Sequence, residues 1–124
     1  MITRLKVRAD FLAVAKAAYQ ARTAVVIQAR QRGENESFMR VGFTATKKVG
    51  NAVVRNRAKR RLREAAQLLL PVHGLAGHDY VFVARAGTGE REWQGLLDDV
   101  KAALIRLSRP NPGPPKSPQE KTVR

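Results

Sequence analysis

Residues 47–63 carry the densest chemistry in the chain: Lys-Lys-Val-Gly-Asn-Ala-Val-Val-Arg-Asn-Arg-Ala-Lys-Arg-Arg-Leu-Arg. Eight of the seventeen are Lys or Arg, and none is Asp or Glu. Arg55, Lys59 and Arg63 stand four apart, where like charges on a helix repel by roughly 0.2–0.5 kcal/mol per pair. An ordinary solvated helix face mixes its signs, because opposite charges at that spacing attract. A face that keeps the repulsion without acidic compensation suits neutralisation by a polyanion. The chemistry on offer is therefore phosphate binding, with the Asn56 amide able both to donate and to accept.

A catalytic or metal constellation is not legible beside it. The two histidines, His73 and His78, lie in a glycine-containing loop with only Asp79 nearby, and read as surface or packing residues. Glu64, next to Arg60 and Arg61, reads as an ion-pair partner. The segment 44–50 has one glycine and misplaced lysines for a phosphate loop. No catalytic residue and no metal ligand are assigned to the protein.

The elements that must hold the cations follow from spacing. Gly50 breaks the preceding segment and Asn51 caps a helix from Ala52. Val54, Ala58, Leu62, Ala65 and Leu69 then form one apolar stripe at the helical period, with Arg61 at its edge. Pro71 is expected to end this helix. Upstream, Asp10 caps a short helix over residues 11–19, with Phe11, Val14, Ala15 and Ala18 on one side. Residues 1–9 read as irregular. The β-branched run 23–30 and the run 38–46 read as strands of a hairpin around a polar turn at 31–37. Residues 79–85 are a further strand, and 90–107 a final helix with Trp93, Leu96, Leu97, Val100, Leu104 and Leu107 inward. The expected fold is α+β, an α/β sandwich with one sheet of about four strands in the order α-β-β-β-α-β-α. The basic helix makes a crossover between strands that can be parallel.

Composition sets the limits. The chain has 124 residues, 44% of them hydrophobic, enough for one domain at residues 1–108. Five of six prolines fall between Pro110 and Pro118, so residues 109–124 read as a disordered, proline-rich basic tail. The formal charge of +14 points to nucleic acid or an anionic surface. A membrane is disfavoured, because no apolar run approaches the roughly 20 residues of a spanning helix. There is no Cys and no signal-peptide pattern, so a cytoplasmic location is expected. Charge alone leaves RNA, DNA and a general structured-RNA binder all open.

Residues 47–64, with the Arg-Asn-Arg core at 55–57, resemble the signature of the protein subunit of bacterial ribonuclease P. Asp10-Phe11, the segment 40–43 (Arg-Val-Gly-Phe) and the strand 79–85 stand in the order of that family, so the likeness spans about residues 4–107. The resemblance implies a left-handed crossover around the basic helix, against the usual preference. It implies an accessory subunit whose RNA partner is the catalyst, removing the 5′ leader of precursor tRNA to leave the mature end. One protein per catalytic RNA is expected, with magnesium used by the RNA. By the same resemblance, Lys47, Lys48, Asn51, Arg55, Asn56, Arg57, Lys59, Arg60 and Arg63 contact RNA, Asn56 also touching a metal indirectly. Phe11 and Gln28 line a leader-binding cleft. Ala15 and Gln28 depart from the family, standing where relatives carry aromatics.

Overall fold

The computed structural model describes residues 2–32 and 37–109. Most of the expected turn at 31–37, and all of the expected tail beyond Arg109, lie outside those residues.

The strand run 78–84 is nearly continuous in apolar side chains, and that decides the topology. Strand β5 (His78–Ala84) is buried on both faces from Asp79 to Phe82. Such a strand belongs in the middle of a sheet. Strands β3 (Val25–Gln31) and β4 (Met39–Thr44) have exposed or half-buried positions among buried ones, and flank it. The sheet has five strands in the order β1-β4-β5-β3-β2. Strand β4 runs parallel to β5 and β3 antiparallel to it. The expected hairpin between β3 and β4 is therefore not formed, because β5 takes the place between them.

Two edge strands were not expected. Strand β1 (Ile2–Arg4) pairs in parallel with β4, and β2 (Ala18–Ala21) pairs antiparallel with β3. Both are three or four residues long, too short to show a period. Helix α1 (Arg8–Ala15) ends before the residues that β2 claims. Val7 is its N-cap residue, with no side-chain cap, and Asp10 lies in its first turn.

Helices α2 (Ala52–His73) and α3 (Trp93–Leu107) share one face of the sheet. There Ala58, Leu62, Ala65, Ala66 and Leu70 of α2 meet Ile27, Tyr80, Phe82, Leu96, Val100 and Leu104. Phe43 and Phe82 pack at 5.5 Å between ring centres. The buried stripe of α2 is rotated from the expected one: Val54 is 37% exposed and Leu70, not Leu69, is fully buried. Pro71 lies inside the helix, because buried Leu70 anchors the turn and its carbonyl accepts the Gly74 N–H at 2.8 Å. Helix α1 covers the opposite face, packing Val14 and Phe11 with Leu5, Val81 and Val83.

Candidate RNA interface

Helix α2 starts where the sequence places its cap. Asn51 Oδ1 accepts the Val54 N–H at 3.0 Å. The cap takes one of the two lone pairs of that oxygen, and the amide nitrogen is left for the expected RNA contact at Asn51. A short 3-10 turn (Lys47–Val49) leads in and presents Lys47 and Lys48 to solvent. Gly50 makes the joint with φ of 150°, a conformation that side chains disfavour.

The cations of α2 divide into two groups. Arg57 and Arg60 are exposed, as is the neutral Asn56, while Arg55, Lys59 and Arg63 are half-buried. None of these five cations pairs with a carboxylate among the described residues. Arg61 faces inward instead. Its guanidinium donates to the Thr88 carbonyl at 2.7 Å and to the Arg91 carbonyl at 2.6 Å, and lies 5.6 Å from the Trp93 ring centre. Arg61 thus ties α2 to the turn before α3. Arg57 runs past the same turn, close enough that a Cβ on Gly89 would stand 4.0 Å from its Cδ. No ion pair forms at Glu64 among the described residues, against expectation. Glu64 is exposed, where water competes effectively for both charges.

On the other face of the sheet, pairing sets Tyr19, Gln28, Val81 and Gly42 in one row across four strands. The Phe11 ring lies on Gly42, where a Cβ would overlap it. Phe11 and Gln28, far apart in sequence, thus share one face beside α1. Both are half-buried, so each has surface left for a ligand. Tyr19 joins them as an aromatic that sequence reasoning placed on the first helix. No local signal marks it, because the four residues of β2 are too few to show a period.

The next row holds this face in place. Asp79 has no exposed side-chain area and receives two guanidiniums. Arg40 bonds it through two nitrogens at 2.8 and 2.7 Å, and Arg32 reaches it at 2.6 Å. Arg40 also donates to Asp10 of α1 at 3.2 Å. Phe11 follows Asp10, so this network fixes the start of the helix that carries the ring. Burial pushes the Asp79 carboxyl up, but the hydrogen bonds and charges of Arg40 and Arg32 outweigh it and hold it below the usual carboxylate range. The same pairing raises Arg40 above its ordinary value.

No cluster of three His, Asp or Glu able to hold a metal occurs among the described residues. No helix there is long and apolar enough to cross a membrane. His73 ends α2, and the His78 ring stacks on Tyr80 with 6.1 Å between centres. The arrangement offers two separate surfaces, a cationic helix and a half-aromatic sheet face, suited to holding phosphates and unstacked bases.

The sequence model of the family Ribonuclease P matches residues 2–108. The ribonuclease P protein component of Caulobacter vibrioides is 65% identical over 105 residues, 85% of this chain and 70% of that protein. That of Ruegeria pomeroyi is 54% identical over 113 residues, 90% of each. Among solved structures, the RNase P protein of Staphylococcus aureus superposes with a TM-score of 0.70 at 25% identity, covering 85% of this chain and 94% of that one. The RNase P protein of Thermotoga maritima has the same fold, with a TM-score of 0.72 over 86% of this chain.

Proposed function

This chain belongs to the ribonuclease P protein family and is its protein subunit, and from that premise we propose how its two surfaces divide the work. Helix α2 binds the catalytic RNA through Arg55, Asn56, Arg57, Lys59, Arg60 and Arg63, with Lys47, Lys48 and the Asn51 amide nitrogen at its entrance. The sheet face beside α1 binds the 5′ leader of precursor tRNA through Phe11, Gln28 and Tyr19. The RNA partner carries out the cleavage, using magnesium that the RNA and its water hold. Asn56 contributes indirectly, by orienting a phosphate or a metal-bound water. One protein serves one RNA in the cytoplasm, and residues 1–108 are the RNA-binding unit.

The observation that carries this division is the helix row itself. It keeps five cations without acidic partners on the described surface, although like charges four apart weaken a helix. Binding a polyanion removes that repulsion and releases counterions. The leader surface is supported by the row that brings Phe11, Gln28 and Tyr19 together.

The leader assignment is tested with Phe11→Ala. Loss of a stacked base is worth roughly 1–3 kcal/mol, about a 5- to 100-fold change in affinity. The variant is expected to narrow the affinity gap between precursor and mature tRNA while mature tRNA binding holds. An unchanged gap in a folded variant would place the leader elsewhere.

A further inference from the structure

A concavity lies on the α2 side of the sheet, across from Phe11 and Gln28. It is a groove of about 190 Å³ between β1, β4 and α2. Thr3, Arg4, Phe43, Arg63 and Gln67 line it, with Leu70 among the apolar residues beneath. It is smaller than the roughly 300–1,000 Å³ pockets that enclose drug-sized ligands. Its size suits one planar ring system.

The lining is mixed in a particular way. The half-buried Phe43 ring is held by Phe82 behind it, at 5.5 Å between centres, so its position is fixed before any ligand arrives. The Arg4 guanidinium sits 5.9 Å from the Phe43 ring centre. Thr3 and Gln67 add a hydroxyl and an amide, which can donate to or accept from the edge of a base. Arg4 and Arg63 supply two positive charges, and no carboxylate lines the groove. An aromatic surface, a guanidinium plane, hydrogen-bonding edges and paired cations together match a nucleotide: a base to stack and a phosphate to neutralise.

We propose that this groove accepts one unstacked nucleotide of the catalytic RNA. The choice of RNA follows from position. Arg63 belongs both to the groove and to the cationic row of α2, so a strand bound along α2 continues into it. The leader surface lies across the sheet, with the strands between. The proposal rests on the assignment of α2 to the catalytic RNA.

The test uses the full chain with its cognate catalytic RNA. A benzophenone amino acid replacing exposed Gln67 is expected to crosslink, on irradiation of the complex, to a single unpaired nucleotide of that RNA. Phe43→Leu is expected to weaken binding about 5- to 100-fold without changing the slope of affinity against salt, because stacking releases no counterions. Arg4→Ala is expected to reduce that slope by about 1, as loss of a phosphate contact does. Crosslinks to the precursor leader, or only to paired or scattered positions, overturn the proposal. So does unchanged affinity in a folded Phe43→Leu. Should Phe43→Leu fail to fold, the crosslink and the Arg4→Ala slope decide alone. Failure of the wild-type protein to bind or assist the catalytic RNA at all would instead overturn the assignment of α2.

Discussion

Asp79 is the residue on which the proposed leader surface depends without belonging to it. Its carboxylate joins Arg32, Arg40 and, through Arg40, Asp10 at the start of α1. Removing its charge leaves two partly buried guanidiniums without their shared anion. Asp79→Asn is expected to lower stability by about 3 kcal/mol at neutral pH, the scale of breaking a buried pair. The sign with pH follows from the depressed pKa. The carboxyl stabilises the fold fully above its unfolded value near 3.9, and that contribution is lost as pH falls through the lower folded value. Urea midpoints for wild type and variant should therefore differ at pH 7 and begin to converge only as pH falls below about 4. A gap that stays constant into acid would mean that Asp79 acts by shape and not by charge. Little of this was legible beforehand. Asp10, Arg40 and Asp79 all stood within segments noted for their family likeness, but only the register that sets β4 beside β5 brings their charges together.

Helix α2 shows what periodicity reveals and what it leaves out. Its start, cap and cationic character follow from the sequence, since Asn51 and the residues after it carry strong local signals. Its end does not, because a buried Leu70 overrides the local effect of Pro71. Spacing sets Arg61 at the edge of the apolar stripe and Arg57 outside it, but gives Arg61 no partner. The difference comes from the turn before α3, whose carbonyls of Thr88 and Arg91 reach Arg61 alone. Arg61→Ala is expected to cost about 3 kcal/mol, for two hydrogen bonds to a charged group. Arg57→Ala should stay within about 0.5 kcal/mol of wild type, as exposed substitutions do, yet weaken binding to the catalytic RNA. Thermal melts and RNA titrations on the two variants check this. Similar melts with similar affinities would dissolve the distinction. The sheet order was hidden for a comparable reason: two runs that look like a hairpin are separated by a strand that follows both of them, beyond α2, in the chain.

At the scale of the whole molecule, the formal charge of +14 makes attraction to any polyanion certain, and so specifies little. Specificity lies in which cations meet phosphate. Affinity for the catalytic RNA should fall linearly with the logarithm of salt concentration. Arg57→Ala and Arg60→Ala should each reduce the slope by about 1, whereas Arg61→Ala should leave it unchanged. Equal slopes for all three would mean that the protein binds through diffuse charge and not through this face of α2. The sheet keeps the two surfaces apart, α2 and α3 on one side and α1 on the other. With the two surfaces assigned as proposed, that separation lets one small protein hold its RNA partner and a substrate strand at the same time.

This chain is proposed to assist a catalytic RNA and to cleave nothing alone. The most direct measurement is cleavage of a precursor tRNA at limiting magnesium by the cognate catalytic RNA, with and without the protein, alongside the protein by itself. Strong stimulation with correct 5′ ends is expected when both subunits are present, and no cleavage by protein alone. A folded, RNA-binding protein that gives no stimulation, or one that cleaves without the RNA, would contradict it.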